Sequence, residues 1–367
     1  MRSRRHQILA LLLAGGEGGR LGPLTEDRAK PALPFAGVYR LIDFPLSNCH
    51  HSRISDVWVL QQYEPHSLAE HLANGRPWDL DRTFGGLRVV HPSKGDAESG
   101  FYEGNADAIY RNLEAIEEFD PELVLVLSAD AVYTLDYRLV VERHRETGAE
   151  VTMVTTRVPR EEAGRFGVVD VEDERVVDFA YKPDEPSSDT VTTEVFVYGA
   201  EVLLETIREL ADGDGLEDFG HELLPQLVER GKAYAYDLGG YWKDVGTIES
   251  YWGAHMDLLG AEPKLELDDL EWPILTRSSQ RPPARVERPA EIENSLISPG
   301  ASVRGRVVGS VLGTGVVVQE GAQVVDSVVL NDATISAGVT VERAVINVGL
   351  TVARSVRGEQ EIVVESA

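Results

Sequence analysis

Apolar runs of strand length punctuate the first two-thirds of the chain: Ile8–Ala14, Val57–Gln61, Leu123–Ser128 and Val151–Arg157. In the third of these, Leu123 to Leu127 is apolar without a break, the pattern of a strand covered on both faces. Helical spacing lies between the runs. Asn105–Phe119 is one case, with Ile109, Leu113 and Ile116 on one face and Asn105 as candidate N-cap. Strands alternating with helices predict an α/β fold with a mostly parallel sheet and right-handed crossovers. Ligands of such sheets sit beyond the carboxyl ends of the strands.

The texture changes after residue 260. Arg277-Ser278-Ser279-Gln280-Arg281-Pro282-Pro283 and Arg288-Pro289 mark a polar, proline-rich linker over residues 261–290. From about Ile292, short β-branched triplets alternate with Gly, Ala, Asn, Asp and Ser. Val318, Val324 and Leu330 are six apart, as are Ile297 and Val303, and Ile335 and Val341. That period predicts a parallel β-helix. The spacing slips near Val307–Val311, which keeps an irregular antiparallel meander open as a second reading. The expected organisation is a domain over 1–260 that carries the chemistry, the linker, and a domain over 291–367 that stacks coils and carries oligomer contacts.

Candidate chemistry begins where the first strand ends. Leu11-Leu12-Leu13-Ala14 runs into Gly15-Gly16-Glu17-Gly18-Gly19-Arg20-Leu21, followed by Arg28-Ala29-Lys30-Pro31. Glycines let backbone N–H groups approach a ligand, and a concave row of amides binds phosphate oxygens. Arg20 and Lys30 add charges suited to a polyphosphate. A Walker loop is excluded, because Arg20 stands five residues after Gly15 with no Lys-Ser/Thr behind it. A dinucleotide fingerprint is excluded, because after Gly16 and Gly18 the third slot holds Leu21. The readings left are a loop for a nucleoside triphosphate and a plain tight turn, and the cations at fixed distance favour the first.

Two carboxylates extend that reading. Asp130 follows the buried strand in Leu127-Ser128-Ala129-Asp130, and Asp244 lies in Tyr241-Trp242-Lys243-Asp244-Val245-Gly246. Together they are candidate ligands for Mg²⁺, which takes carboxylate and phosphate oxygens. Taken alone, an Asp at a strand end is a turn former or helix cap. Lys182, before Pro183, is either a second phosphate ligand or a surface lysine. Cys49-His50-His51 is too tightly spaced for a zinc set, and no G-x-S-x-G elbow is present.

Composition narrows the partners. The 367 residues carry 35 Lys and Arg against 62 Asp and Glu, a net charge of −27. Such acidity argues against nucleic acid and anionic membranes as partners and makes a local cluster of cations conspicuous. One cysteine, Cys49, allows no intrachain disulfide and fits a reducing cytoplasm. The apolar run after the basic Met1-Arg2-Ser3-Arg4-Arg5 is short and ends in Gly-Gly-Glu, unlike a signal peptide. No run approaches the ~18 apolar residues of a membrane span.

These motifs together resemble the bacterial glucose-1-phosphate adenylyltransferases, within the sugar-nucleotide pyrophosphorylases, over nearly the whole chain. The most specific block is LAGGEGGRLGPLTEDRAKPALPFAGVYRLIDFPLSN, from Leu13 to Asn48. Further matches are Gln62-Tyr63, Tyr102 to Ala108, Phe166-Gly167-Val168, Lys182-Pro183 and YWKDVGTIESYW from Tyr241 to Trp252.

The resemblance implies a Rossmann-like, GT-A-like nucleotidyltransferase domain followed by a left-handed parallel β-helix. It implies ATP and glucose 1-phosphate as substrates, ADP-glucose for glycogen or another α-glucan as product, and Mg²⁺ as cofactor. It places Gly15, Gly16 and Gly18 at the nucleotide through backbone, with Gln62, Gly104 and Asn105 near the base. Arg20 and Lys30 engage the phosphates, and Arg20, Lys30 and Asp130 form the catalytic set. Asp130 and Asp244 hold the metal. Tyr102, Gly167 and Lys182 form the sugar-phosphate site, to which Glu194 is added as a candidate of this chain's own. A homotetramer is implied.

Four positions depart from the family. Tyr181 replaces a Glu that contacts sugar hydroxyls, and Thr192-Thr193-Glu194 replaces S-M-G in the same pocket, which makes Glu194 a candidate for the missing carboxylate. Pro92-Ser93-Lys94-Gly95-Asp96 stands where P-A-Q-Q-R is frequent near the base. Val38 replaces a Lys used for activators, so altered or absent control by sugar phosphates is expected. The alternatives are a catalytically weak regulatory paralogue that assembles with an active subunit, or a nucleotidyltransferase for another sugar 1-phosphate.

Overall fold

The computed structural model describes residues 7–16, 18–92, 104–211, 219–359 and 361–366. Tyr102 and the segment Ser93–Asp96 lie outside the described residues. Nine strands form one sheet: β1 (Ile8–Ala14), β2 (Asp56–Gln61), β3 (Gly86–Val90), β4 (Leu123–Ser128), β5 (Val151–Arg157), β6 (Gly167–Glu172), β7 (Arg175–Tyr181), β8 (Thr190–Gly199) and β9 (Ala233–Asp237). Their order is β3-β2-β1-β4-β8-β5-β9-β7-β6. The half from β3 to β4 is parallel, as the alternating pattern predicts. The other half is mixed. β8 runs antiparallel to β4 and β5, and β6 and β7 form a hairpin. Asp173 and Glu174, between β6 and β7, both have positive φ, and a two-residue turn of that kind returns the chain antiparallel.

Neighbouring residues of the central strands enter opposite cores. Leu12, Leu125 and Leu127 pack with Val59, Leu46 and Trp78 on one face, while Leu11, Val124 and Val126 pack with Ile109, Ile116 and Leu203 on the other. Burial on both faces is why Leu123–Leu127 is unbroken. The helical spacing over Asn105–Phe119 divides into two helices, Asn105–Tyr110 and Leu113–Phe119. Asn112 separates them, its side-chain amide donating to the Ala108 carbonyl at 2.8 Å in competition with the helix ladder. Gly104, not Asn105, takes the N-cap place. Among the described residues, no helix is long and apolar enough to cross a membrane.

The C-terminal strands form three five-stranded parallel sheets, so the meander reading falls and the β-helix stands. The central coils are 17 residues rather than three sixes, Val318 pairing with Ile335, Val324 with Val341, and Val329 with Ile346, whereas Val303 pairs with Val318 and Val341 with Val356, each 15 residues on. Val329, not Leu330, points into the coil core. One corner of each coil is a residue short. There Asn294, Gly309, Asp326 and Arg343 adopt left-handed φ, and a serine follows the first three. The Ser327 hydroxyl donates to the Val325 carbonyl at 2.7 Å and accepts from the Ala344 N–H at 3.2 Å. Ser310 repeats the arrangement one coil earlier. This corner, together with a shorter one at Gly305 that brings the inward Val303 and Val307 within four residues, produces the slip near Val307–Val311. Replacing the fully buried Ser327 by Ala is expected to cost about 1–3 kcal/mol, the cost of a buried N–H left without its acceptor. An unchanged urea midpoint would remove the serine ladder from this account of the coil.

Leu330, Val328 and Val345 instead face the N-terminal domain, packing with Phe35, Leu41, Tyr251 and Leu258. Trp252 Nε1 donates to the Asp326 carbonyl at 2.8 Å across the same junction. The stretch expected as linker is strapped down rather than free. Trp272 Nε1 donates to Asn48 Oδ1 at 2.9 Å, and the Leu275 carbonyl accepts from Trp78 Nε1 at 3.1 Å. His51 meets the Pro273 carbonyl and His50 the Trp78 carbonyl, each at 2.8 Å, while Cys49 is buried. The Cys49-His50-His51 tripeptide therefore secures the strap. Among the described residues no group of three His, Cys, Asp or Glu side chains could hold a metal.

Candidate active site

Strand register brings the motif residues to one rim. Ala14 of β1 pairs with Gln61 of β2, and Leu13 pairs with Ser128 of β4. Gly15, Gln62 and Asp130 therefore follow at the same edge of the parallel half-sheet. Gly16 has open space where a Cβ would project, whereas a Cβ on Gly18, at φ 73°, would meet Thr25 Cγ2 at 3.0 Å and Lys30 Cβ at 3.3 Å. The Thr25 hydroxyl donates to the Gly18 carbonyl at 3.0 Å and closes the loop. Gly18 is thus required by both conformation and space.

Lys30 lies at the centre of a charge cluster. Its ammonium is 2.6 Å from Asp130 Oδ2 and 3.9 Å from Asp244 Oδ1, and the residue is only 6% exposed. Burial opposes its charge, but Asp130 and Asp244, with Glu194 adding, hold its pKa above the ordinary lysine value. Burial likewise opposes ionisation of Asp130. Lys30 and a hydrogen bond from the Ser128 hydroxyl overcome that and keep the carboxyl below its usual range. Asp244 shifts the other way, raised by burial and by the facing Asp130 despite Lys30. Arg165 Nη2 reaches Asp244 Oδ2 at 3.2 Å. Arg20 also draws Asp244 down electrostatically, and a Cβ on Gly246 would lie 2.7 Å from Asp244 Oδ2 and 3.2 Å from Arg20 Nη2.

The two carboxylates suit a divalent cation. They face one another closely enough for one to raise the other's pKa, and a buried ammonium already lies between them. Mg²⁺ commonly takes one or two protein carboxylates and completes its shell with water and substrate phosphates, so the lack of a third protein ligand is compatible with it.

Beside this cluster opens a cavity of about 200 Å³ lined by Gly15, Gly16, Asn105, Asp130, Gly167, Lys182 and Glu194, with Tyr181 and Gly220. Gly167 is there because a Cβ would come within 2.8 Å of both Phe179 and Thr192. Tyr181 ends β7 with its ring against Gly220, where a Cβ would come within 2.1 Å of the ring, and edge-on to His221 at 4.8 Å. Lys182, at φ 46°, donates from Nζ to the Tyr181 hydroxyl at 2.7 Å.

The structure thus gathers Gly15, Gly16, Asn105, Asp130, Gly167, Lys182 and Glu194 around one cavity, with Lys30 and Asp244 joined through ion pairs and Arg20 acting on Asp244 electrostatically. Gln62 lies behind Gly15, its Cβ 3.9 Å from where a Gly15 Cβ would be, and Gly104 caps the helix that carries Asn105. Sequence reasoning missed Arg165, Ser128, Gly220 and His221. Arg165 directly precedes the Phe166-Gly167-Val168 block, and Ser128 lies two residues before Asp130, so proximity to recognised motifs was the available signal. Val38 lines a separate cavity of about 400 Å³, where Arg28, Arg40, Arg277 and Arg281 converge from the N-terminal domain and the strap.

Comparison with known proteins gives the family. Residues 9–260 match the nucleotidyl transferase family model, and residues 282–360 match the GlmU-like C-terminal hexapeptide model, which accounts for a left-handed parallel β-helix. The chain is 47% identical over 322 residues to a glucose-1-phosphate adenylyltransferase of Thermotoga neapolitana, covering 86% of this chain and 76% of the relative. It is 44% identical over 334 residues to the protein of that name from Clostridium perfringens (strain SM101 / Type A), covering 90% and 86%. With the one from Bacillus cereus (strain ZK / E33L) it shares 41% over 336 residues, 91% and 89%. Two matched domains and relatives this similar over most of their length place the chain in the glucose-1-phosphate adenylyltransferase family.

Proposed function

We propose that this enzyme transfers the adenylyl group of ATP to glucose 1-phosphate, forming ADP-glucose and pyrophosphate for glycogen or another α-glucan. The observation that carries the reading is the buried Lys30 held between Asp130 and Asp244 at the glycine-loop rim, with Lys182 in the same cavity. A phosphate oxygen of the sugar phosphate, already ionised at neutral pH, attacks the α-phosphorus. The bond from that phosphorus to the bridging oxygen breaks, and pyrophosphate leaves with the electron pair. No protein nucleophile or general base is needed, so the work is positioning and charge neutralisation.

In this scheme the Gly15, Gly16 and Gly18 backbone cradles the triphosphate, while Arg20 and Lys30 offset its charge. Gln62, Gly104 and Asn105 border the base. Lys182 takes the phosphate of the sugar phosphate, and Gly167 lines the sugar pocket. Asp130 and Asp244 would hold Mg²⁺, which when bound supplies Lewis-acid polarisation of phosphate oxygens. A cytoplasmic homotetramer belongs to the same proposal, supported by the single buried Cys49 and by the resemblance. Altered effector control belongs to it as well, because Val38 withholds a cation from a cavity that keeps four arginines.

One observation favours a second reading. Tyr181 lines the cavity and accepts a hydrogen bond from Lys182, which suits a weak regulatory subunit or a different sugar 1-phosphate. Pyrophosphate release, measured with Mg²⁺ across a panel of sugar 1-phosphates and four nucleoside triphosphates, decides. Highest turnover with ATP and glucose 1-phosphate is expected. Background rates throughout, rescued by an active paralogue, would establish the regulatory role.

A further inference from the structure

We infer that Asn347 of the β-helix is a positioning residue for the phosphate loop of the other domain, fixing Arg20 where a triphosphate would lie; the inference rests on the ATP chemistry proposed for that loop. The turn itself supplies the first argument. Gly19–Leu24 is a 3₁₀ segment broken at Gly22, whose φ of 50° and ψ of −125° are not helical. Its two faces differ. Gly19 and Arg20 are exposed, while Leu21 and Leu24 are fully buried. The two leucines share a core cluster with Leu330, Val345 and Ile362 of the β-helix. The outer side of the loop therefore carries the cation, and its underside is anchored on the second domain.

The second argument is a hydrogen bond that spans the chain. A short helical turn leaves its last carbonyls without donors of its own. The Thr25 N–H takes the Gly22 carbonyl at 3.0 Å. The Pro23 carbonyl is met by Asn347 Nδ2 at 3.2 Å, from 324 residues further along the chain. Asn347 is held in turn by its own domain. Its N–H donates to the Glu365 carbonyl at 3.0 Å, and its Oδ1 accepts from the Val348 N–H at 2.8 Å. A donor against Oδ1 and an acceptor against Nδ2 leave the amide one orientation.

Burial and hydrogen bonding then do different things to the loop. Burial of Leu21 and Leu24 is non-directional and sets how deep the turn sits. The Asn347 bond is directional and sets how the turn is rotated on its leucine face. Arg20 lies three residues before Pro23, so a rotation of the turn carries its guanidinium away from Asp244, on which it acts. Displacements of about 1 Å in a positioning group are enough to matter for a bound substrate. The effect is confined to the nucleotide side. Gly167 and Lys182 stand on or directly after the β6–β7 hairpin, no residue of which belongs to the junction cluster.

The test uses the full-length enzyme with Mg²⁺ and reads Kd for ATP by calorimetry together with KM for both substrates. Asn347→Ala removes the donor. Asn347→Asp keeps the acceptor for the Val348 N–H and sets a carboxylate oxygen against the Pro23 carbonyl. Both variants are expected to keep the wild-type circular dichroism and to raise Kd and KM for ATP about 3- to 10-fold, the scale of one net hydrogen bond. KM for glucose 1-phosphate is expected to stay within about twofold of wild type. In an Arg20→Gln background, Asn347→Ala is expected to raise Kd for ATP by less than about a further twofold, because the side chain it positions is gone. An unchanged ATP affinity, equal shifts for both substrates, or full additivity with Arg20→Gln overturns the assignment and leaves the proposed function intact. A wild type that binds ATP without adenylyl transfer overturns the proposed function, and the Kd series still decides the role of Asn347. A wild type that binds no ATP overturns both.

Discussion

Asp130→Asn is expected to lower kcat by at least about 10²–10³-fold, the scale of losing one electrostatic element of a transition state, with the fold kept. Asn matches the shape of Asp, so the contacts with Ser128 and Lys30 keep their geometry. What disappears is the charge that holds the buried Lys30 ammonium at 2.6 Å and half of the pair that would carry Mg²⁺. Circular dichroism should match wild type, and KM for glucose 1-phosphate should move far less than kcat. A variant that keeps kcat within about tenfold would remove Asp130 from the proposed role.

Lys30→Gln is expected to act on rate and stability together. The ammonium lies 2.6 Å from Asp130 and 3.9 Å from Asp244, and its loss removes a phosphate ligand, lowering kcat/KM for ATP by about 10²–10³-fold. It also leaves Asp130 without its buried counter-charge, facing an Asp244 that keeps Arg165 at 3.2 Å. Removing one partner of a buried pair costs up to about 5 kcal/mol; because both carboxylates are partly exposed, about 2–4 kcal/mol is expected here. Protonation should relieve part of that cost, beginning with Asp244. Its folded pKa already stands above the unfolded value, so its ionised form costs stability at neutral pH, and that cost fades as pH falls through the folded pKa. Asp130 has the opposite sign in the wild type. Its depressed pKa contributes stability above the unfolded value that is lost as pH falls through the folded one. Mg²⁺ should restore midpoint stability more in Lys30→Gln than in wild type, because a cation binding the folded pair stabilises by mass action. Equal Mg²⁺ responses would show that the two carboxylates do not share a cation site.

Most of the candidate site was legible because its parts are local. The Gly15 to Lys30 block carries glycines for a close backbone approach and two cations within a short loop, and strand-end logic selected Asp130 without a structure. The geometry of the cluster was not legible. Lys30 and Asp130 are 100 residues apart, and no periodicity reports that they touch. Arg165 was missed for the same reason: it precedes a recognised motif, but its partner Asp244 lies 79 residues further along the chain. The β-helix was read correctly as a class and incorrectly in register. A period of six fits two corners of each central coil. The third is shortened by a left-handed residue and bridged in three coils by the Ser295, Ser310 and Ser327 hydroxyls, so the inward position moves from Leu330 to Val329.

Local chemistry in the sequence by itself determined the phosphate loop, the apolar strands, the repeat and the identity of the charged groups. Each depends on neighbours within a few residues. Only the tertiary structure decided which charges face each other, that Asn347 reaches the Pro23 carbonyl from the other domain, that Tyr181 stacks on Gly220, and that Leu330 binds the two domains together. Those outcomes follow from strand pairing, where a slip of a single residue reverses the face on which every side chain appears. Register is set by the packing of the whole sheet rather than by any one segment.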